Sequence, residues 1–204
     1  MIVIIDYGIG NLRAISNMLF RLGFENKISC DSDMIGQAKG LILPGNGHYD
    51  ACLKAFHALD ILPAIKHGVF EKNVPILGIC VGAQMLGHTS EEGHEKGLGW
   101  LDMDVVKFPA DSDLKIPNMG WREVEVTDSG VDYFHFSKSG TRFYFTHSFY
   151  MQPHDNSLKL LQSDYGLPFA AAVGRDNIIG VQFHPEKSHA YGKEFFTHFA
   201  GMCS

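Results

Sequence analysis

Short runs of consecutive apolar residues alternate with longer stretches in which apolar residues recur every three or four positions. IVIID (2–6) is one such run, and the stretch 11–22 that follows places Leu12, Ile15, Leu19 and Leu22 on a single helical face. LILPG (41–45) and VPILGIC (74–80) are the next two runs, with helical patterns over 49–59 and from 83 to about 89. Unbroken apolar runs are strands buried on both faces, and such strands separated by helices form parallel sheets covered on both sides. From 97 to about 150 the pattern changes to alternation, in WLDMDVVKF, WREVEV and RFYFTHSFY, which predicts half-exposed antiparallel strands. FAAAV (169–173) and IIGVQF (178–183) return to the buried-strand pattern, and a helix begins at about 190. No repeat, low-complexity run or linker interrupts the 204 residues. The expected fold is therefore α/β, a single domain over 1–204 with a doubly wound, largely parallel sheet, flanking helices and additional antiparallel strands.

Composition removes several function classes. Hydrophobic residues make up 45% and charged residues 20% of the chain, which is globular and not disordered. Lys and Arg number 17 against 23 Asp and Glu, a net charge of −6 that offers no attraction to nucleic acid or to an anionic membrane. No apolar stretch approaches the roughly 18 residues that span a bilayer. The opening MIVIIDYG has no basic segment and its apolar run stops at Asp6, so it reads as a strand and not as a signal peptide. Cys30, Cys52, Cys80 and Cys203 are scattered with no CxxC pair, the usage expected of reduced thiols in a cytoplasm.

Cys80 closes a buried strand in PILGICVGAQML, with Gly78 and Gly82 two residues to either side and a helical run beyond. Strand, tight turn, helix is the geometry of a nucleophile elbow, here with cysteine. Glycines let the turn tighten, the sulfur emerges at the carboxyl edge of the sheet, and the helix start favours thiolate and offers N–H groups to an oxyanion. The same pattern fits a buried structural cysteine between two packing glycines. A thiol nucleophile needs a base, and among the 11 histidines His184 stands at the end of IIGVQF, before Pro185, with Glu186 in reach to fix its tautomer. A surface histidine capped by proline would look the same. His184, Glu186 and His189 also spell H-x-E-x-x-H, but helical zinc sites space histidines four apart and Pro185 opposes a helix, so no metal is expected. LPGNGHYD (43–50) is a glycine-bearing turn whose backbone can approach a small ligand; lacking Lys-Ser/Thr, it is not a phosphate loop.

LPGNG, GICVGAQML, PNMGW, YFTHSFY and VQFHPEKS, in that order, resemble the class I glutamine amidotransferases along nearly the whole chain. IIDYGIGNLRAISN and SEEGHEKGLGW narrow the resemblance to the glutaminase subunits of imidazole glycerol phosphate synthases. The resemblance implies a triad of Cys80, His184 and Glu186 that hydrolyses L-glutamine through a γ-glutamyl thioester, with no cofactor. It implies glutamine contacts at Gly47, Gln84, His147 and Ser148, and an oxyanion hole from Val81 N–H and the Gly45–Asn46 turn. It also implies that Asn11, Trp121, Tyr144 and Lys187 meet a (β/α)8-barrel synthase partner, which uses the ammonia to make imidazole glycerol phosphate and AICAR in histidine biosynthesis. Trp121 and Tyr144 also fit plain core aromatics, and Asn11 a helix cap.

The family turn commonly reads PGVG where this chain has PGNG. Asparagine accepts positive φ more readily than valine, so a different resting turn is expected, with Asn46→Val lowering partner-free activity. Three rival functions share the motifs: a paralogue supplying ammonia for amidination of a bacterial surface sugar, a stand-alone thiol amidohydrolase, and a degenerate binding module. PNMGW and DYGIGN have no task in a stand-alone hydrolase, and a binding module has no need of the full Cys80, His184 and Glu186 set.

Overall fold

The computed structural model describes residues 1–109, 114–136 and 140–203. The N-terminal part runs β1 (Ile2–Ile5), α1 (Leu12–Arg21), β2 (Asn26–Ser29), α2 (Ser32–Gly36), β3 (Gly40–Gly45), α3 (Tyr49–His57) and α4 (Leu62–Lys66). Then come β4 (Ile76–Cys80), α5 (Val81–Gln84), β5 (Met103–Lys107), β6 (Asn118–Glu123), β7 (Glu125–Val126), β8 (Arg142–His147) and β9 (Phe149–Pro153). The chain ends with β10 (Lys159–Asp164), β11 (Pro168–Arg175), β12 (Ile178–Val181) and α6 (His189–Gly201).

A ten-stranded sheet has the path β2-β1-β3-β4-β12-β11-β10-β7, with β9 joined to β11 and β5 to β9. From β2 to β12 the pairings are parallel; those of β11 with β12, β10 and β9, and of β5 with β9, are antiparallel. β6 and β8 form a separate antiparallel ribbon. Every residue of β1, β3, β4 and β12 is buried, as unbroken apolar runs require. β8 alternates instead, with Phe143, Phe145 and His147 inward. Phe143 stacks on Phe183 with ring centroids 3.9 Å apart. That contact anchors the chain just beyond β12, and removing the Phe183 ring would cost about 3–5 kcal/mol.

One expectation needs correction. The helix expected from 83 to about 89 begins at Val81 and is a single turn. The following carbonyls are taken by another segment: Leu98 N–H donates to Met85 O, Trp100 N–H to Leu86 O and Gly99 N–H to Gly87 O. Backbone groups satisfied from outside have no need to continue the helix. The motif glycines keep the turn free of Cβ clashes as expected, while the positive φ falls on Cys80 and on neither Gly78 nor Gly82. A Cβ on Gly82 would stand 2.0 Å from Leu43 O, and one on Gly78 2.6 Å from Ala83 Cα. They permit close packing of α5 on β3 and β4.

Candidate active site

β4 pairs in parallel with β12, Ile79 opposite Val181, so both strands deliver their ends to one sheet edge. Cys80 leaves β4 at φ 53° and ψ −114°, a conformation costing an L residue about 1–3 kcal/mol. The strain turns the thiol out of the strand while leaving it 3% exposed. Because α5 is one turn long, its contribution is its unpaired first N–H groups more than a macrodipole.

Beyond β12, residues 182, 184 and 186 bring Gln182, His184 and Glu186 to the same region. His184 Nδ1 lies 2.9 Å from Glu186 Oε1, and both side chains are almost wholly buried. Burial pushes the imidazole down, but the Cys80 sulfur and the Glu186 carboxylate outweigh it, and its pKa is pushed up to about 9. At neutral pH the ring is an imidazolium. Its Nε2 has no well-aligned hydrogen-bond partner among the described residues, which leaves that proton available beside the sulfur.

Asn46, Gly47, Cys80, Val81, Gln84, Glu92, Thr146, His147, Ser148 and Phe149 line a cavity of about 50 Å³, the space of a few waters. Gln84 Nε2 donates to Phe149 O at 3.2 Å and to Gln182 Oε1 at 3.1 Å, leaving its Oε1 as acceptor for a ligand. His147 is pushed down to about 4 by burial, with the nearby His184 adding to the shift and the Phe149 carbonyl opposing it. The neutral ring therefore donates from Nδ1 to Phe149 O (2.8 Å) and accepts at Nε2 from Asn118 Nδ2 (3.1 Å).

The turn after β3 forms the opposite wall. Gly45 lies beside Cys80 in register, and a Cβ on it would stand 2.2 Å from Gly82 N. Asn46 is exposed, and its carbonyl accepts from the buried Cys52 thiol at 3.4 Å. Positive φ in this turn belongs to Gly47, at +88°, and not to Asn46. The conformational reason for expecting asparagine and valine to differ at 46 therefore does not hold in this conformation.

The family described as Glutamine amidotransferase class-I matches residues 3–200. The chain is a class I glutamine amidotransferase, an enzyme that takes ammonia from glutamine. It is 46% identical over 207 residues to "Imidazole glycerol phosphate synthase subunit HisH 2" of Pseudomonas aeruginosa, across 99% of this chain and 100% of that one. It is 40% identical over 205 residues to the subunit of the same name from Methanococcus maripaludis, across 98% of each. Its fold matches PurLQS from Thermotoga maritima with a TM-score of 0.74 at 20% identity, across 100% of this chain and 98% of that one.

In this amidotransferase the four expected partner residues gather behind the Glu186 end of the site. The exposed Asn11 precedes α1 but makes no side-chain cap; its Nδ2 donates to Glu186 Oε1 at 3.4 Å. Trp121 and Tyr144 face each other across β6 and β8, edge to face at 6.3 Å. Lys187 Nζ sits 5.8 Å over the Tyr144 ring. Tyr144 O accepts from His184 N–H at 2.9 Å, so this patch touches the base through backbone. His189 stacks on Trp121 at 5.6 Å, away from His184, and the H-x-E-x-x-H string is not assembled into one cluster. Three residues of the amidotransferase site escaped the sequence reading. Glu92, inside SEEGHEKGLGW, is the charged side chain in the cavity lining and accepts from Tyr49 N–H at 2.9 Å. Asn118, inside PNMGW, fixes His147. Gln182 carried a usable signal: a polar residue inside an apolar strand run, two before His184.

Proposed function

We propose that Cys80, His184 and Glu186 hydrolyse L-glutamine, and that the chain is the cytoplasmic glutaminase subunit of an imidazole glycerol phosphate synthase. The observation that carries this reading is the strained Cys80 set beside a buried His184–Glu186 pair just beyond the end of the adjacent parallel strand. Cys80 sulfur attacks the side-chain amide carbon, and the carbonyl oxygen takes up negative charge against Val81 N–H and the Gly45–Asn46 turn. His184 gives its Nε2 proton to the departing nitrogen, and ammonia leaves behind a γ-glutamyl thioester. The now neutral His184 takes a proton from water, hydroxide attacks the thioester, and glutamate leaves as the thiolate reforms. Glu186 holds the ring through Nδ1 in both steps. Gln84 Oε1, Gly47, Ser148 and the Glu92 carboxylate receive the amino-acid end of glutamine, with Glu92 opposite its ammonium. His147, neutral and fully bonded, shapes the wall. The steps use only thiol, imidazole, carboxylate and water.

Ammonia then passes to a (β/α)8-barrel synthase that docks on Asn11, Trp121, Tyr144 and Lys187 and makes imidazole glycerol phosphate and AICAR. Contacts from this patch to Glu186 and to the His184 backbone support a glutaminase that runs slowly until its partner and acceptor are bound. Glutamate release is measured for the chain alone, with the barrel, and with barrel plus acceptor ligand. The rate is expected to rise at each addition; equal rates favour a stand-alone hydrolase. Cys80→Ala should abolish turnover with the fold intact, and turnover within about tenfold of wild type would remove Cys80 as nucleophile. A second reading is favoured by the names of the two relatives, both designated HisH 2. A second subunit of one kind is free to serve another acceptor, such as a bacterial surface sugar that is amidinated. Co-purification with the barrel protein, and the acceptor that restores turnover, separates the two.

A further inference from the structure

Gln182 is completely buried, and the mechanism above gives its carboxamide no task. Its orientation follows from its neighbours. The Phe149 carbonyl can only accept, so the Gln84 group 3.2 Å from it is the NH2. The same NH2 lies 3.1 Å from the Gln182 amide, so the Gln182 atom facing it is the oxygen. The Gln182 NH2 is left pointing at Cys80, with Nε2 3.8 Å from Sγ. A backbone carbonyl thus fixes one amide, that amide fixes a second, and the second presents a donor to the sulfur.

We propose that the Gln182 carboxamide is a hydrogen-bond donor to the Cys80 thiolate, holding and stabilising the nucleophile in the thiolate form. The inference rests on the reading of Cys80 as nucleophile. The separation is 3.8 Å, and a donor bonded to an ionised acceptor draws closer and binds more strongly. The donor cannot turn away, because reversing the Gln182 amide would set two NH2 groups against each other at the Gln84 contact. The segment just beyond β12 therefore supplies three side chains: Gln182 to the sulfur, His184 to the sulfur and the leaving group, Glu186 to His184. Among the described residues, Tyr7, after β1, and Cys52, on α3, also face Cys80, and Glu92 and His147 line the same cavity. Burial raises the Tyr7 hydroxyl and the Cys52 thiol above their ordinary values.

Gln182→Met keeps the volume and removes the donor. The rate of Cys80 alkylation by iodoacetamide is followed against pH in wild type and variant. The midpoint should rise by about one unit or more, and kcat should fall about 10–100-fold with KM changed little. A folded Gln182→Met protein with an unchanged alkylation profile overturns the proposal, as does a change confined to KM. Wild-type protein carrying 15N in its glutamine side chains provides a reading that needs no variant at Gln182. One NH2 pair should shift as Cys80 titrates and stand still in Cys80→Ala; no titrating pair also overturns the proposal. Activity surviving in Cys80→Ala would instead strike the proposed function.

Discussion

The end of β8 and the turn beyond β12 each carry a buried histidine, and the two rings end in opposite states. His147 is pushed down to about 4, whereas His184 is pushed up to about 9. Desolvation lowers both, so burial cannot be what separates them. His147 meets an amide and a carbonyl, which satisfy a neutral ring, while His184 meets a carboxylate and a sulfur, which favour a cation. The partner's charge decides the chemistry, and the strand end decides the partner.

The largest test of that contrast is to remove each ring. His184→Asn is expected to lower kcat by about 10²–10⁴, the range of a lost general acid and base. His147→Asn should chiefly raise KM and destabilise the fold by about 1–3 kcal/mol, since it disturbs the Asn118 and Phe149 contacts. Steady-state kinetics and denaturant melts on both variants decide this, and equal losses in kcat would end the distinction.

Glu186→Gln comes next. In wild type kcat/KM should fall as pH rises through about 9, where the imidazolium is lost. The variant should lose on the order of 10² in kcat, and its alkaline limb should move down toward ordinary histidine. An unmoved limb would show that the carboxylate does not hold the proton on His184.

Stability should tilt in opposite directions for the two rings, each by up to a few kcal/mol. His147 stays neutral in the folded state down to about 4 while an unfolded histidine protonates near 6.5, so its contribution is lost as pH falls between those values. His184 stays protonated up to about 9, so its contribution is present below 6.5 and lost as pH rises toward 9. Denaturant midpoints across pH should lose their acid slope in His147→Asn and their alkaline slope in His184→Asn.

The smallest effects belong to the turn after β3. Gly47 holds φ +88°, so Gly47→Ala should cost about 1–2 kcal/mol of turn stability and lower partner-free glutaminase activity several-fold. Asn46→Val should change it by less than about threefold, because residue 46 is outside the positive-φ region that disfavours β-branched residues. A larger effect at 46 than at 47 would restore the expectation drawn from sequence.

The strands most easily read were β1, β3, β4 and β12, whose burial on both faces requires unbroken apolar runs. β2, with Asn26, Lys27 and Ser29 at the sheet edge, carries no such run and is a strand because β1 supplies its hydrogen bonds. The one-turn α5 was hidden for a related reason, its successors being bonded from residues 98–100. Cys80, His184 and Glu186 could be singled out because each stands where a local pattern ends in a turn. Glu92 and Asn118 could not, since a charged side chain in a turn or an amide at the start of a strand carries no sign of the cavity or the partner it will meet.

The sequence by itself determined the alternation of buried strands and helices, the family, and the residues able to act as thiol, imidazole and carboxylate, because periodicity and side-chain chemistry are local properties. Tertiary structure alone decided that β12 lies beside β4, that the strain falls on Cys80, that His147 is neutral and His184 charged, and that Gln182 faces the sulfur. Each of those depends on a neighbour distant in sequence, and the free energy of a buried polar group is set by what it touches.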